Sequence, residues 1–123
     1  MSERIKRTQY KGKQIIMYDY SGIKGFMDEE GKKLAREVEV FIDNLKEYDL
    51  LQLVDVRNSY ADLQAVAELK RLAKKIMPHV KKSAVIGVKR IQKVILETVN
   101  LFSGIKTKAF DNVEEAKDWL IED

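Results

Sequence analysis

The sequence predicts one α/β domain, with a mostly parallel five-stranded sheet containing one antiparallel strand, and four helices in the order ββαβαβαβα. Three observations carry that expectation. Apolar segments of strand length alternate with segments whose apolar residues recur three and four apart, and such alternating units join by right-handed crossovers into a parallel sheet. The chain has 123 residues, the size of one domain, and folding at this length removes roughly two-thirds of the extended-chain surface from water. No linker, low-complexity tract or repeat beyond the alternation itself interrupts it, so residues 1–123 are expected to form a single domain.

Each element has a local reason. Two short runs, Arg4 to Tyr10 and Gln14 to Tyr20, flank Lys11-Gly12-Lys13, where the glycine allows the positive φ of a tight hairpin turn. Ile15-Ile16-Met17-Tyr18 lacks alternation, as a strand covered on both faces does. Ser21-Gly22 and Gly25 end that run, and Asp28 is placed to cap a helix reaching to about Tyr48, with Leu34, Val38, Phe41, Ile42 and Leu45 on one stripe. A buried strand follows at Leu50 to Val56. Ser59-Tyr60-Ala61-Asp62 then matches a capping box, opening a helix that would turn Leu63, Val66, Leu69, Ala73 and Ile76 inward and stop near Pro78. Ser83 to Val88 reads as a further strand, with Gly87 marking a close backbone approach or bulge. The next helix, about Arg90 to Phe102, would bury Ile91, Val94, Ile95, Thr98, Val99 and Phe102 and end at a left-handed Gly104. Lys106 to Phe110 forms the last strand, and Asp111 or Asn112 caps a helix from Val113 to about Ile121, with Val113, Ala116 and Leu120 inward beside Trp119.

Composition removes several classes of function. Hydrophobic residues make up 45% and charged residues 35% of the chain, which excludes disorder and argues a salt-rich exterior. With no cysteine there is no disulfide, thiol nucleophile or thiolate metal cluster, and a reducing, cytoplasmic setting fits. The start, with Arg4, Lys6 and Arg7, lacks the apolar stretch of a secretion signal, and the longest apolar run, Ala84 to Val88, is far short of the roughly 20 residues that span a bilayer.

The net charge of +3 is small, so its distribution matters more than its sum. From Leu69 to Leu96 the basic residues Lys70, Arg71, Lys74, Lys75, Lys81, Lys82, Lys89, Arg90 and Lys93 occur without one acid. Lys70, Lys74, Lys81, Lys82, Lys89, Arg90 and Lys93 are the candidate patch for phosphates, an acidic partner or anionic lipid heads. Aromatic residues for base stacking are not interleaved there, so no specific nucleic acid is expected; the alternative is a solvated face balanced by acids elsewhere.

No catalytic constellation stands out, and neither a metal nor a cofactor is expected. His79 is the only histidine, so a site with several imidazoles is excluded, and the residue reads as an exposed loop histidine. The glycines form neither a GxGxxG nor a Walker sequence. Adjacent acids such as Glu29-Glu30 and Glu114-Glu115 splay apart on helices and suit helix N-termini. Tyr18, Tyr20, Phe26, Met27 and Phe41 are candidates for the wall of an apolar pocket between the first helix and the sheet, or equally for plain core.

Several stretches resemble the SpoIIAA-like branch of the STAS fold: Tyr18-Asp19-Tyr20-Ser21-Gly22, Leu53-Val54-Asp55-Val56, Ser83-Ala84-Val85-Ile86-Gly87-Val88, Gln92-Lys93, Asn100 to Gly104, Phe110-Asp111 and Glu114 to Leu120. The resemblance implies a wound β-α superhelix with an antiparallel first strand, shared with anti-sigma-factor antagonists and with lipid-carrying domains of the Sec14/CRAL-TRIO type. In the antagonists a serine opening the helix after the central strand is phosphorylated and switches binding of a partner kinase. Ser59 stands at the matching place here, within Arg57-Asn58-Ser59-Tyr60 in place of Asp-Ser-Ser/Thr-Gly, while Val88-Lys89-Arg90-Ile91 adds positive charge to the branch's usual pattern. The implied role is a non-enzymatic regulatory module acting through a protein partner, with Asn58, Ser59 and Tyr60 as phospho-switch or contact. The alternative is a carrier or sensor of a small apolar or acyl ligand.

Overall fold

Residues 3–122 are described by the structure, a computed structural model, apart from the side chains of Ile91 and Phe102. Strands β1 (Ile5–Tyr10) and β2 (Lys13–Asp19) form an antiparallel hairpin with Tyr10 opposite Lys13. Its two linking residues, Lys11 and Gly12, both have positive φ, 47° and 85°, the turn whose twist suits a hairpin. Helix α1 (Glu29–Asp43), β3 (Leu50–Asp55), α2 (Val66–Ile76), β4 (Val80–Ile86), α3 (Arg90–Ser103), β5 (Thr107–Phe110) and α4 (Val113–Ile121) complete the predicted order.

The sheet runs β1-β2-β3-β4-β5, antiparallel only between the first two strands. Successive right-handed crossovers that always step the same way put their helices on one face of a sheet. Accordingly Leu34, Ala35, Val38 and Ile42 of α1 share a core with Leu72 and Ile76 of α2 and with Ile16, Tyr18 and Leu50 of the sheet. On the opposite face Ala116 and Leu120 of α4 cover Ile15, Leu51, Leu53, Ala84 and Ile86. Because both faces are covered, β3 is buried at every position except the half-buried Val54, which is why that run shows no alternation. Full burial of side chains such as Leu34, Val38 and Ile42 contributes about 1.5–3 kcal/mol each.

Several boundaries differ from expectation. Helix α1 stops at Asp43, short of Tyr48: the Asn44 backbone and side-chain amides both donate to the Val40 carbonyl, the latter at 2.9 Å, and close the last turn. Ser59 opens no helix. Asp62 is the cap, accepting the Gln64 amide at 3.0 Å, and a single 3-10 turn at Leu63–Ala65 precedes α2. Leu63 is therefore 63% exposed rather than inward, and the buried positions of α2 are Leu72 and Ile76. On α3, Ile95 and Val99 are buried but Val94 is exposed, and the half-buried Thr98 spends its hydroxyl on the Val94 carbonyl. The expected burial of Ile91 and Phe102 lies outside the described residues. Gly104 ends α3 with φ 81°, and Asn112 rather than Asp111 caps α4 through the Glu115 amide at 2.9 Å.

Gly87 directly follows β4, with φ 90°; a Cβ there would lie 2.6 Å from the Arg57 backbone nitrogen. The loops after β3 and β4 thus touch backbone to backbone at the carboxyl ends of the strands, next to the Val56 amide, which donates to the Ile86 carbonyl.

Candidate functional site

Three side chains stand in one row across the face of the sheet that α1, α2 and α3 cover. Gln52 on β3 pairs with Ser83 on β4, and Ser83 pairs with Thr107 on β5. The Gln52 Nε2 donates to the Ser83 Oγ at 2.8 Å, and the Thr107 hydroxyl bonds the same oxygen at 2.8 Å. Asn100 of α3 holds the Thr107 backbone from above, donating to its carbonyl at 3.0 Å and accepting from its amide at 3.2 Å. Gln52, Thr107 and Asn100 of this group line a pocket.

Helices α2 and α3 pack on each other above it, leaving a space of about 190 Å³ under their junction. Leu69, Leu72, Ala73 and Ile76 of α2 and Ile95, Leu96 and Val99 of α3 form the roof. Tyr18, Val54 and Val85 complete the floor, and Tyr20, Phe26, Ser59 and Ala61 close the end at the strand termini. No lining side chain is charged. On two of the lining residues, the Tyr18 hydroxyl and the Gln52 Oε1 are buried without a hydrogen-bond partner. Burial pushes the Tyr18 and Tyr20 hydroxyls well above the ordinary tyrosine value, so both keep their protons near neutrality.

Of the aromatic residues singled out in the sequence, Tyr18, Tyr20 and Phe26 line this pocket, the last two with stacked rings 5.8 Å apart. Met27 and Phe41 do not. Phe41 lies behind Tyr18, edge to face at 6.3 Å, and opens instead onto a charged surface groove beside β1; Met27 is 39% exposed. The pocket sits chiefly beneath α2 and α3, with Val38 of α1 at its edge, while Leu34 and Ile42 of α1 are seated directly in the core. Sequence reasoning missed Gln52, Ser83 and Thr107. A signal existed for the first, the one polar residue within Leu50 to Val54.

The segment after β3 is held from three sides. Its Arg57 carbonyl accepts the Gly22 amide at 3.0 Å, its Ser59 carbonyl accepts the Gln92 Nε2 at 2.6 Å, and its Tyr60 carbonyl accepts the Phe26 amide at 2.9 Å. Arg57 in turn forks onto the buried Asp55 carboxylate at 3.0 and 2.8 Å, an ion pair that raises the guanidinium pKa further. Asn58 has a left-handed backbone, φ 57°. Ser59 is 8% exposed and lines the pocket, whereas Tyr60 is 68% exposed.

The basic run does not gather into one patch. Arg71 and Lys75 are tied to Glu39, Glu68 and Asp43 between α1 and α2. Lys82 lies on the α4 side, donating to the Trp119 and Glu122 carbonyls at 2.8 and 2.9 Å with its ammonium over the Trp119 ring. Lys70 and Lys74 are on α2, Lys81 is at the start of β4, and Lys89, Arg90 and Lys93 are at the beginning of α3. The sheet separates Lys82 from the basic residues of α2.

His79 stacks on Tyr48 at 4.8 Å, and its Nδ1 donates to the Glu47 carbonyl at 2.8 Å. It precedes β4, whereas Ser59 follows β3; in parallel strands these are opposite ends of the sheet. The partners of Ser83 are Gln52 and Thr107. No Ser-His pair is assembled among the described residues, and none of their acidic and imidazole groups cluster to hold a metal ion. No helix among them is long and apolar enough to cross a membrane.

A sheet wound in one direction, with an uncharged pocket between it and two of its helices, defines an α/β module. The chain belongs to the SpoIIAA-like family, whose family model matches residues 12–121. It is also similar to the crystal structure of an uncharacterised protein of the DUF3478 family with a SpoIIAA-like fold, from Shewanella loihica PV-4. That likeness has a TM-score of 0.69 at 20% identity and covers 94% of this chain and 91% of that one, which shows a shared fold. No curated protein matches the chain.

Proposed function

We propose that this domain is a non-enzymatic binding module that encloses one small, mainly apolar ligand, as a carrier or a sensor. The observation that supports it is the uncharged space of about 190 Å³ beneath α2 and α3. Well-packed interiors leave few voids larger than a water molecule, and an apolar cavity of about 150 Å³ stays dry and admits benzene. A single ring or a short chain fits here. A longer acyl chain, of the kind suggested by kinship with lipid carriers, would place only part of its length in this space.

The test is native mass spectrometry of the protein purified from its host without organic solvent. One small adduct per chain is expected. A chain that arrives empty, and whose thermal stability is unmoved by added toluene, refutes the reading.

A second reading, contact with a protein partner through Asn58 and Tyr60, is favoured by one specific observation. Tyr60 and Leu63 are 68% and 63% exposed on a segment otherwise fixed by hydrogen bonds, and exposed aromatic side chains on rigid backbone make effective anchors. The two readings join at Ser59, which lines the pocket within that same segment. A Tyr60→Ala chain that still binds every partner of the wild type would remove the contact reading.

A further inference from the structure

The two edges of the sheet differ. β5 is four residues long, and a short edge offers little to pair with. β1 is six residues long, contains neither proline nor glycine, and runs in unbroken register with β2 from Ile5 to Tyr10. Among the described residues it pairs with β2 and with no other strand. The Asp19 amide donates to the Arg4 carbonyl opposite it at 2.8 Å. Antiparallel strands bond at every second position, so Lys6, Thr8 and Tyr10 also turn their backbone toward β2. Ile5, Arg7 and Gln9 turn their N–H and C=O groups to the open side.

We propose that a second copy of this chain pairs antiparallel with β1, Thr8 opposite its own copy, joining two five-stranded sheets into one across a two-fold axis. The contact goes beyond the pocket and stands without it. A two-fold pairing bonds outward-facing residues to outward-facing residues. Registers centred on Lys6 or on Arg7 set a cation against its own copy, and like charges directly opposite are destabilising. Centring nearer either end leaves fewer residues paired. The register centred on Thr8 sets Arg7 against Gln9 and Lys6 against Tyr10, with the N–H and C=O of Arg7 bonding those of Gln9 in both directions. Lysine and arginine on an edge usually discourage pairing; in this register each meets an uncharged residue instead.

Charge on the α4 side of the sheet favours the same register. Lys6 is exposed and has no ion pair among the described residues. Opposite it stands Tyr10 of the second copy, which packs with the core under α4 and whose hydroxyl donates to Asp118 at 2.7 Å. Directly opposed side chains are close enough to interact, so Lys6 gains an aromatic ring and a nearby carboxylate across the contact. Strand pairing alone makes a small interface, and the dimer is a transient one, with a dissociation constant in the roughly micromolar to millimolar range.

Sedimentation equilibrium of the purified chain, from low micromolar to roughly millimolar concentration, tests this. A reversible monomer–dimer equilibrium is expected. Gln9 reports the register, because it is exposed and is set against Arg7 of the second copy. Gln9→Glu places a carboxylate there and is expected to tighten the dimer roughly fivefold through two symmetry-related pairs; Gln9→Arg places a cation and is expected to weaken it by roughly the same factor. Gln9→Pro removes an outward amide that β2 does not use, so the hairpin keeps its hydrogen bonds while the dimer is lost. A wild type that stays monomeric at roughly 1 mM overturns the proposal and leaves Lys6 and Arg7 as guards of the edge. A dimer that Gln9→Glu and Gln9→Arg do not move in opposite directions overturns it as well and puts the contact elsewhere. These two variants change an exposed side chain, so they report even where the proline variant does not fold.

Discussion

Ser59 shows how far a single residue can move between sequence and structure. In the sequence it begins a capping box and coincides with a regulatory serine of related proteins. In the fold Asp62 does the capping, and Ser59 is 8% exposed in the wall of an uncharged pocket. An acidic mimic of phosphorylation there would place a carboxylate without a cation in an apolar enclosure. Ser59→Asp is therefore expected to lower unfolding free energy by roughly 3 kcal/mol, read from urea denaturation. An unchanged midpoint would mean that the side chain reaches water and would restore it as a switch. Residue-level legibility follows the same line. Tyr18, Tyr20 and Phe26 were visible because large aromatics next to a doubly covered strand go inside. The orphaned state of Gln52 was not, because it depends on what β4 and β5 place opposite it.

Elements were legible where periodicity or capping chemistry marks them, and less so where tertiary contacts decide. The stripe of α1 was readable in full, but its end at Asn44 carries neither glycine nor proline and is set by a side chain bonding to Val40. Arg71 and Lys75 stand in an acid-free basic run of the sequence because the acids that answer them are distant in it. Glu39 of α1 meets Arg71 at 2.6 Å and Lys75 at 2.9 Å, and these bonds hold its carboxyl far below the ordinary value of 4.5, at about 2. A carboxylate depressed on folding stabilises the fold above its unfolded pKa, and this contribution is lost as pH falls through the folded value. Wild type is thus expected to melt higher than Glu39→Gln at pH 6, with the gap closing between pH 4.5 and about 2. Salt should narrow the gap as well, since the groups are near the surface. Melting curves across pH at low ionic strength test this; a gap that is constant with pH would assign the loss to packing instead of charge.

At the scale of the whole molecule, the pocket is a consequence of winding. Strands that step in one direction send α1, α2 and α3 to the same face and leave the other to α4. The alternation of strand and helix in the sequence was enough to foresee that architecture, and its aromatic residues suggested a pocket under the first helix. Neither indicated the place of the space under α2 and α3, because a roof that stands off its floor has the same periodicity as one that touches it. Ala73 marks the difference: it lies on the core side of α2, lines the space, and is too small to fill it. Ala73→Leu extends three carbons into the pocket at about 0.8 kcal/mol per buried methylene, less about 0.5–1 kcal/mol of lost rotamer freedom. A net gain of about 1.5 kcal/mol corresponds to a melting temperature higher by roughly 6 °C. The same side chain would occupy the place of the ligand, so toluene, which is expected to raise the melting temperature of the wild type by binding only the folded chain, should no longer raise that of the variant. A variant that is less stable than wild type would show a roof already closed on its floor, and a variant that still responds to toluene would put the binding site elsewhere on the molecule.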